Sequence, residues 1–176
     1  MSLNRRTKIA VVYLPITALR LDPANPRVHS ARQIRQIARS IQTFDFAVPI
    51  LADEEKTVIA GHGRVLAARQ LGLTEVPVIL LEHLSEAQRR AFMIADNKLT
   101  ENGEWDRRLL AEQLRDLSLL DLDFSLEVTG FEMGEIDIRI EGLTDGPEGS
   151  DADDEVPPAT SSAAVTRTGD LWQCGV

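Results

Sequence analysis

The sequence predicts a mixed α+β domain, a small sheet with helices packed on it, continued by a helical extension. Three observations predict it. Short runs rich in Val and Ile at 11–14, 48–52, 57–60 and 76–81 are bounded by Pro, Gly or polar turn residues, as strands are. Two stretches of helical period open on a Ser followed three positions later by a Gln, Ser30/Gln33 and Ser85/Gln88, the spacing of a capping box. Beyond residue 101 the strand-like runs stop, and Leu109, Leu110, Leu114 and Leu117 recur at helical spacing.

Taken in order, Val11 to Leu14 reads as a first strand ended by Pro15. Leu21-Asp22-Pro23-Ala24-Asn25-Pro26 reads as loop, because closely spaced prolines forbid regular pairing. The helix that Ser30 starts buries Ile34, Ile37, Ala38 and Ile41 and turns Arg32, Arg35 and Arg39 to another face. Strands 48–52 and 57–60 flank a polar hairpin loop, Asp53-Glu54-Glu55-Lys56. Gly61-His62-Gly63 breaks the second of them. A short helix from Arg64 to Leu71 follows, with Gly72 as its left-handed terminator. A strand over 76–81 and a helix from Ser85 to about Leu99 complete a domain at 9–100. Residues 101–143 are expected to form an acidic helical extension, with a turn at Asn102-Gly103, a helix over 107–117 and a short one near 134–140. From Thr144 the composition shifts to Gly, Asp, Glu, Pro, Ser and Ala, which bury too little apolar surface to offset chain entropy. Residues 144–168 therefore read as a flexible linker, and 169–176, where Leu171 and Trp172 appear, as the start of a further domain.

A hydrophobic fraction of 43% suits a globular core of ordinary size. No window reaches the roughly 18 consecutive apolar residues of a membrane span. Ile9 to Leu14 is too short for a secretory signal, and the single Cys174 cannot form an internal disulfide. These features predict a cytoplasmic protein without membrane contact. Its net charge of −9 is unevenly spread. Residues 1–100 carry 14 basic and 9 acidic side chains, a net +5, whereas residues 101–145 carry 4 and 13, a net −9. A mildly basic module with an acidic extension permits phosphate contacts, since the local field governs ligand capture.

The strongest local signal is strand, then Gly61-His62-Gly63-Arg64, then helix. The first N–H groups of a helix lack intrahelical acceptors, and the helix dipole adds positive charge there. Glycines let successive amides converge on one anion. Arg64 offers a charge-assisted fork to phosphate, and His62 a further donor when protonated. The same turn also serves purely steric ends. It is neither a P-loop, lacking the Gly-Lys-Ser/Thr ending, nor a dinucleotide fingerprint, lacking the third glycine.

The order of motifs resembles the ParB N-terminal domain, within the ParB/sulfiredoxin superfamily, over residues 11–141. Three stretches carry the resemblance: "LPITALRLDPANPRVHSARQIRQIARSIQTF", "PILADEEKTVIAGHGRVLAARQLG" and "VPVILLEHLSEAQRRAFMIADNKLTENGEWD". It implies a ParB/sulfiredoxin-like fold with phosphate at Gly61, His62, Gly63 and Arg64, flanked by Asn25, Arg27 and Asn97. In partition members it would imply binding and hydrolysis of CTP. Their motif reads Gly-Glu-Arg-Arg, which Gly61-His62-Gly63-Arg64 matches only at its first and last positions. A nucleoside triphosphate, CTP or ATP with Mg2+, is thus the ligand the resemblance suggests, without fixing the base. Sulfiredoxin chemistry is excluded, since it needs a cysteine in the phosphate motif. The Gly-His-Gly-Arg form most resembles ParB-like domains fused upstream of DNA methyltransferases in phages and mobile elements, and "GDLWQCGV" resembles the start of such a methylase. The chain has no Asp-Pro-Pro-Tyr-type motif, so methylation by this chain is not expected.

The expected role is therefore a DNA-associated binding module that holds a nucleotide or nucleic-acid phosphate and serves a methyltransferase domain or subunit. Its partners would be DNA, that methyltransferase and a second copy in a homodimer. Arg32, Arg35 and Arg39, with Arg89 and Arg90, form a candidate DNA-contact stripe, although such a stripe is equally a solvated helix face. Aromatic residues, at 5%, are too few for a single-strand stacking platform. His29, His62 and His83 lack metal-ligand spacing, and no metal site is expected. Two rival readings stay open. One is a nucleotide hydrolase, kinase or nuclease on the same scaffold, with Asp96, Glu101 or His29 as base. The other is an oligomerisation surface on the acidic helices.

Overall fold

The computed structural model describes residues 9–143; the expected linker and the 169–176 segment lie outside the described residues. Five strands form one sheet: β1 (Val11–Pro15), β2 (Arg20–Leu21), β3 (Ile50–Ala52), β4 (Thr57–Ala60) and β5 (Glu75–Leu80), in the order β1-β5-β3-β4-β2. β1 and β5 are antiparallel, β5 and β3 parallel, β3 and β4 antiparallel, and β4 and β2 parallel. Five helices accompany them: α1 (Ala31–Phe44), α2 (His62–Gln70), α3 (Glu86–Glu101), α4 (Arg107–Ser118) and α5 (Met133–Glu141).

Strand alternation covers the sheet on both faces. Ile50, Val58 and Val78 share a core with Val65 of α2 and with Leu19. Their neighbours Leu51, Ile59 and Ile79 belong to a second cluster with Met93 of α3. Successive side chains of a strand point to opposite faces, so one face receives α2 and the other α3. A third cluster, Leu114, Leu126 and Ile136, holds the extension together around α4, a 3-10 turn at Leu126–Thr129 and α5.

The caps explain the helix starts. Ser30 Oγ accepts from Gln33 N at 3.1 Å, and Ser85 with Gln88 forms the complete reciprocal box expected of it. Asp106 caps α4 by accepting from Leu109 N at 2.9 Å. Gly72 adopts φ +70° past the end of α2, as its terminator role requires.

Several details differ from expectation. β3 starts at Ile50 rather than Val48, because Pro49 has no N–H to give a ladder and Val48 lies 56% exposed. β2, only two residues long, was not expected; it forms because Arg20 N donates to Lys56 O at 3.0 Å at the edge of β4. α2 starts at His62, two residues before Arg64, because Gly61 itself takes the cap position. Leu109, expected on the apolar face of α4, lies 53% exposed. Asp53, placed in a polar hairpin loop, is 6% exposed. Its Oδ1 accepts from Thr57 N at 2.8 Å and its Oδ2 from Arg89 Nη1 at 2.7 Å, which ties the β3–β4 turn to α3.

Candidate anion-binding site at the strand–helix corner

β4 ends on Ala60, and Gly61, with a φ of +96°, turns the chain straight into α2. A side chain would be strained at that φ, and a Cβ there would stand 3.1 Å from both Arg64 Nε and Arg64 Nη2. Glycine therefore lets the guanidinium fold back over the corner. At Gly63 a Cβ would meet Ile37 Cδ1 at 2.9 Å and His29 Nδ1 at 3.1 Å. Its absence lets α1 and the segment before it close on the turn.

The first intrahelical bond of α2 runs from Val65 N to Gly61 O at 3.0 Å. The amides of His62, Gly63 and Arg64 precede it and so have no helical acceptor, and Gly61 brings no capping side chain. Their residues line a cavity of about 170 Å3. Gly61 to Arg64 line it from one side, Asn25, Arg27 and His29 from the loop before α1, and Asp96, Asn97 and Thr100 from α3. Two nitrogens within this group are buried without any hydrogen-bond partner: His62 Nε2 and Arg64 Nε. His62 as a whole is 7% exposed. Arg64 keeps one long bond, Nη2 to Pro49 O at 3.4 Å.

The electrostatics follow from this burial. Desolvation pushes the His62 imidazole below its ordinary pKa, helped by His29 and opposed by Asp22. Burial also lowers the Arg64 guanidinium, with Asp96 acting in the opposite sense. His62 is thus neutral near pH 7, while Arg64 keeps its charge.

Each sequence-predicted phosphate residue lies at this one cavity, though not every one is free. Asn25 spends its amide locally, with Oδ1 accepting from Arg27 N at 3.2 Å and Nδ2 reaching Arg27 O at 3.4 Å. Arg27 Nη1 pairs with Glu101 Oε1 at 2.8 Å, which brings a candidate base into contact with a candidate phosphate ligand. Asn97 donates Nδ2 to Met93 O at 2.8 Å, one turn back in α3; the residue that caps the end of α3 is Asn102. Thr100 was not foreseen. The signal was present, since Asp96 and Thr100 are four apart and share one helix face.

The arginines of α1 lie elsewhere. Arg32 Nη2 pairs with Glu132 at 2.8 Å and Arg39 Nη1 with Glu127 at 3.2 Å, while Gln36 donates to Gly130 O at 2.9 Å. Two of the three thus hold the acidic extension against α1, and Arg35 is exposed between them. Sequence reasoning missed this because compensating charges 88 to 100 residues apart leave no local pattern. Arg89, counted with the same stripe, pairs with Asp53 at 2.7 Å and Glu55 at 3.4 Å.

The family model of the ParB N-terminal domain matches residues 3–98, more than half of the chain. The chain belongs to the ParB N-terminal domain family. The ParB-methyltransferase HTH domain matches residues 108–168, so the ParB-like domain is followed by a segment of the type linked to methyltransferases. The ParB-like nuclease domain-containing protein YnaK of Escherichia coli (strain K12) is 42% identical over 83 residues, which are 47% of this chain and 95% of that protein. The probable chromosome 2-partitioning protein ParB of Deinococcus radiodurans is 31% identical over 93 residues, 51% of this chain but 31% of its own length. Among solved structures, ParB of Caulobacter crescentus complexed with CTP-gamma-S aligns with a TM-score of 0.56 and 23% identity, over 62% of this chain and 63% of that one. That likeness establishes the fold. The chain is a ParB-like, DNA-associated domain, and no helix among the described residues is long and apolar enough to cross a membrane.

Proposed function

We propose that this ParB-like domain holds the phosphates of a nucleotide at the Gly61–Arg64 corner and acts as the regulatory or DNA-docking module of a cytoplasmic DNA-methyltransferase system. The observation that carries the reading is the pair of buried, unpartnered nitrogens, His62 Nε2 and Arg64 Nε, on residues that line one cavity at the start of α2, where the first amides lack helical acceptors. Buried polar groups are normally satisfied, so two orphans on residues that line one cavity are the groups an acceptor-rich ligand would satisfy. A phosphate supplies several oxygens to such donors. The Caulobacter protein of similar fold binds a CTP analogue, which makes CTP the first nucleotide to try.

Thermal-shift measurements with CTP, ATP, ADP and GTP, each with magnesium, test it. A nucleotide at about 100 times its Kd is expected to stabilise the protein by about 2.7 kcal/mol, or roughly 6–10 °C in Tm. No shift with any of the four would sink the reading.

DNA is the second proposed partner. Arg35, exposed between two α1 arginines already paired to the extension, is the arginine of α1 most open to a phosphate. Arg35→Ala is expected to weaken double-stranded DNA binding uniformly across sequences and to lower the slope of log K against log salt by about 1. An unchanged slope removes Arg35 from the interface.

A second reading, phosphodiester or nucleotide hydrolysis, is favoured by the nuclease domain named in the Escherichia coli relative and by Asp96 at the cavity wall. Release of inorganic phosphate from the bound nucleotide, or nicking of supercoiled plasmid, lost in Asp96→Asn, is its expected signature.

A further inference from the structure

We propose that the corner site takes up its anion together with a proton, and that His62 receives that proton. The inference rests on the phosphate reading above and adds to it how binding is regulated.

A phosphate dianion entering the cavity needs positive charge within reach, and most of what surrounds it is compensated. Arg27 is tied to Glu101 at 2.8 Å. Asp96 of α3 lines the same cavity and acts on the Arg64 guanidinium. Asp22, from the loop after β2, acts on His62. One half-buried guanidinium is therefore left to balance two incoming negative charges. The remaining cationisable groups at the cavity are His62 and His29.

Of these, His62 has the geometry to respond. Its Nε2 is buried and unpartnered, so as a bare lone pair it would repel an anion and as N–H it would bind one. His29 Nδ1 is already engaged by Gln33 Oε1 at 3.0 Å. Glycine at 63 brings the His29 ring against the turn, and two imidazolium groups so placed would repel each other, which limits uptake to about one proton. In the free protein, burial holds His62 neutral near pH 7. An anion reverses that preference, and by linkage whatever raises the affinity of His62 for a proton is itself bound more tightly as pH falls.

The sign is fixed. The free imidazole titrates below its ordinary value of 6.5, and the liganded one above its free value. Affinity is therefore flat above the liganded pKa and rises as pH falls through the interval between the two. The limit for a single proton is about tenfold per pH unit.

The test is a histidine-resolved NMR titration of the full chain from pH 5.5 to 8.5, with and without magnesium and the nucleotide that stabilises it. The Cε1–H signals of His29, His62 and His83 are assigned by single substitution. The expected result is that the His62 midpoint moves upward by at least about one unit on binding, matched by a Kd at least about fivefold tighter at pH 5.5 than at pH 8. In His62→Gln the two affinities are expected to converge. A nucleotide that binds while the His62 midpoint stays in place overturns the proton-coupled site and leaves the phosphate reading standing. A midpoint shift confined to His29 overturns the assignment to His62. Failure of all four nucleotides to bind even at pH 5.5 overturns both readings together. The titration of the unsubstituted protein keeps the test decisive if His62→Gln does not fold.

Discussion

Arg64→Met is expected to leave the ligand-free protein as stable as the parent or more so, while removing most of the stabilisation a nucleotide gives. The two effects have one cause. Arg64 Nε is buried without a partner, and the guanidinium keeps only a 3.4 Å bond to Pro49 O. An unsatisfied buried donor costs about 1–3 kcal/mol, so an apolar side chain of similar length relieves the free protein. With a phosphate present the balance inverts, because a charge-assisted bond contributes about 1.5–3 kcal/mol, roughly ten- to a hundredfold in Kd. Chemical denaturation of the two proteins, with and without nucleotide, measures both quantities. A ligand-free Arg64→Met protein markedly less stable than the parent would mean that the guanidinium is structural, and the site reading would lose its main support.

The second large effect lies outside the cavity. Asp53→Ala is expected to destabilise the fold by about 2–3 kcal/mol, below the 3–5 kcal/mol of a fully buried pair because Arg89 keeps solvent contact. Asp53 is 6% exposed, and its two oxygens serve Thr57 N and Arg89 Nη1, so its loss removes an acceptor from a backbone donor and leaves Arg89 with only its 3.4 Å contact to Glu55. Asp53→Asn, which keeps the acceptor for Thr57, is expected to cost less. In Arg89→Met/Asp53→Ala the second change should cost less than it does alone, because the charge that Asp53 neutralises is gone. Urea unfolding of the four proteins decides it; additive losses would show that the pair is not coupled. The contact also bears on the site. It fastens α3 to the β3–β4 turn, and α3 carries Asp96 and Asn97 to the cavity.

Much of this architecture was legible residue by residue. Ser30/Gln33 and Ser85/Gln88 announced two helices because capping is a contact between neighbours in sequence. The Val and Ile runs announced four of five strands; those of β3, β4 and β5 are largely buried, whereas Val11, Val12 and Tyr13 of β1 are exposed and its run follows strand propensity rather than burial. β2 escaped because two residues carry no period, and pairing with β4 alone makes them a strand. The site was half legible. Gly61 and Gly63 marked the corner, but nothing local says that Asn25, Arg27 and Asn97 arrive there, or that Arg32 and Arg39 are answered by Glu132 and Glu127.

By itself the sequence determined the α+β class, the sites of the turns and the presence of a glycine corner built to expose amides. These depend on backbone freedom and on contacts within a few residues. Only the tertiary structure decided which charges are spent on one another and which polar atoms are left wanting. Asp53 with Arg89, Arg27 with Glu101, and the orphaned nitrogens of His62 and Arg64 are outcomes of burial, and burial is a property of chain segments brought together from far apart.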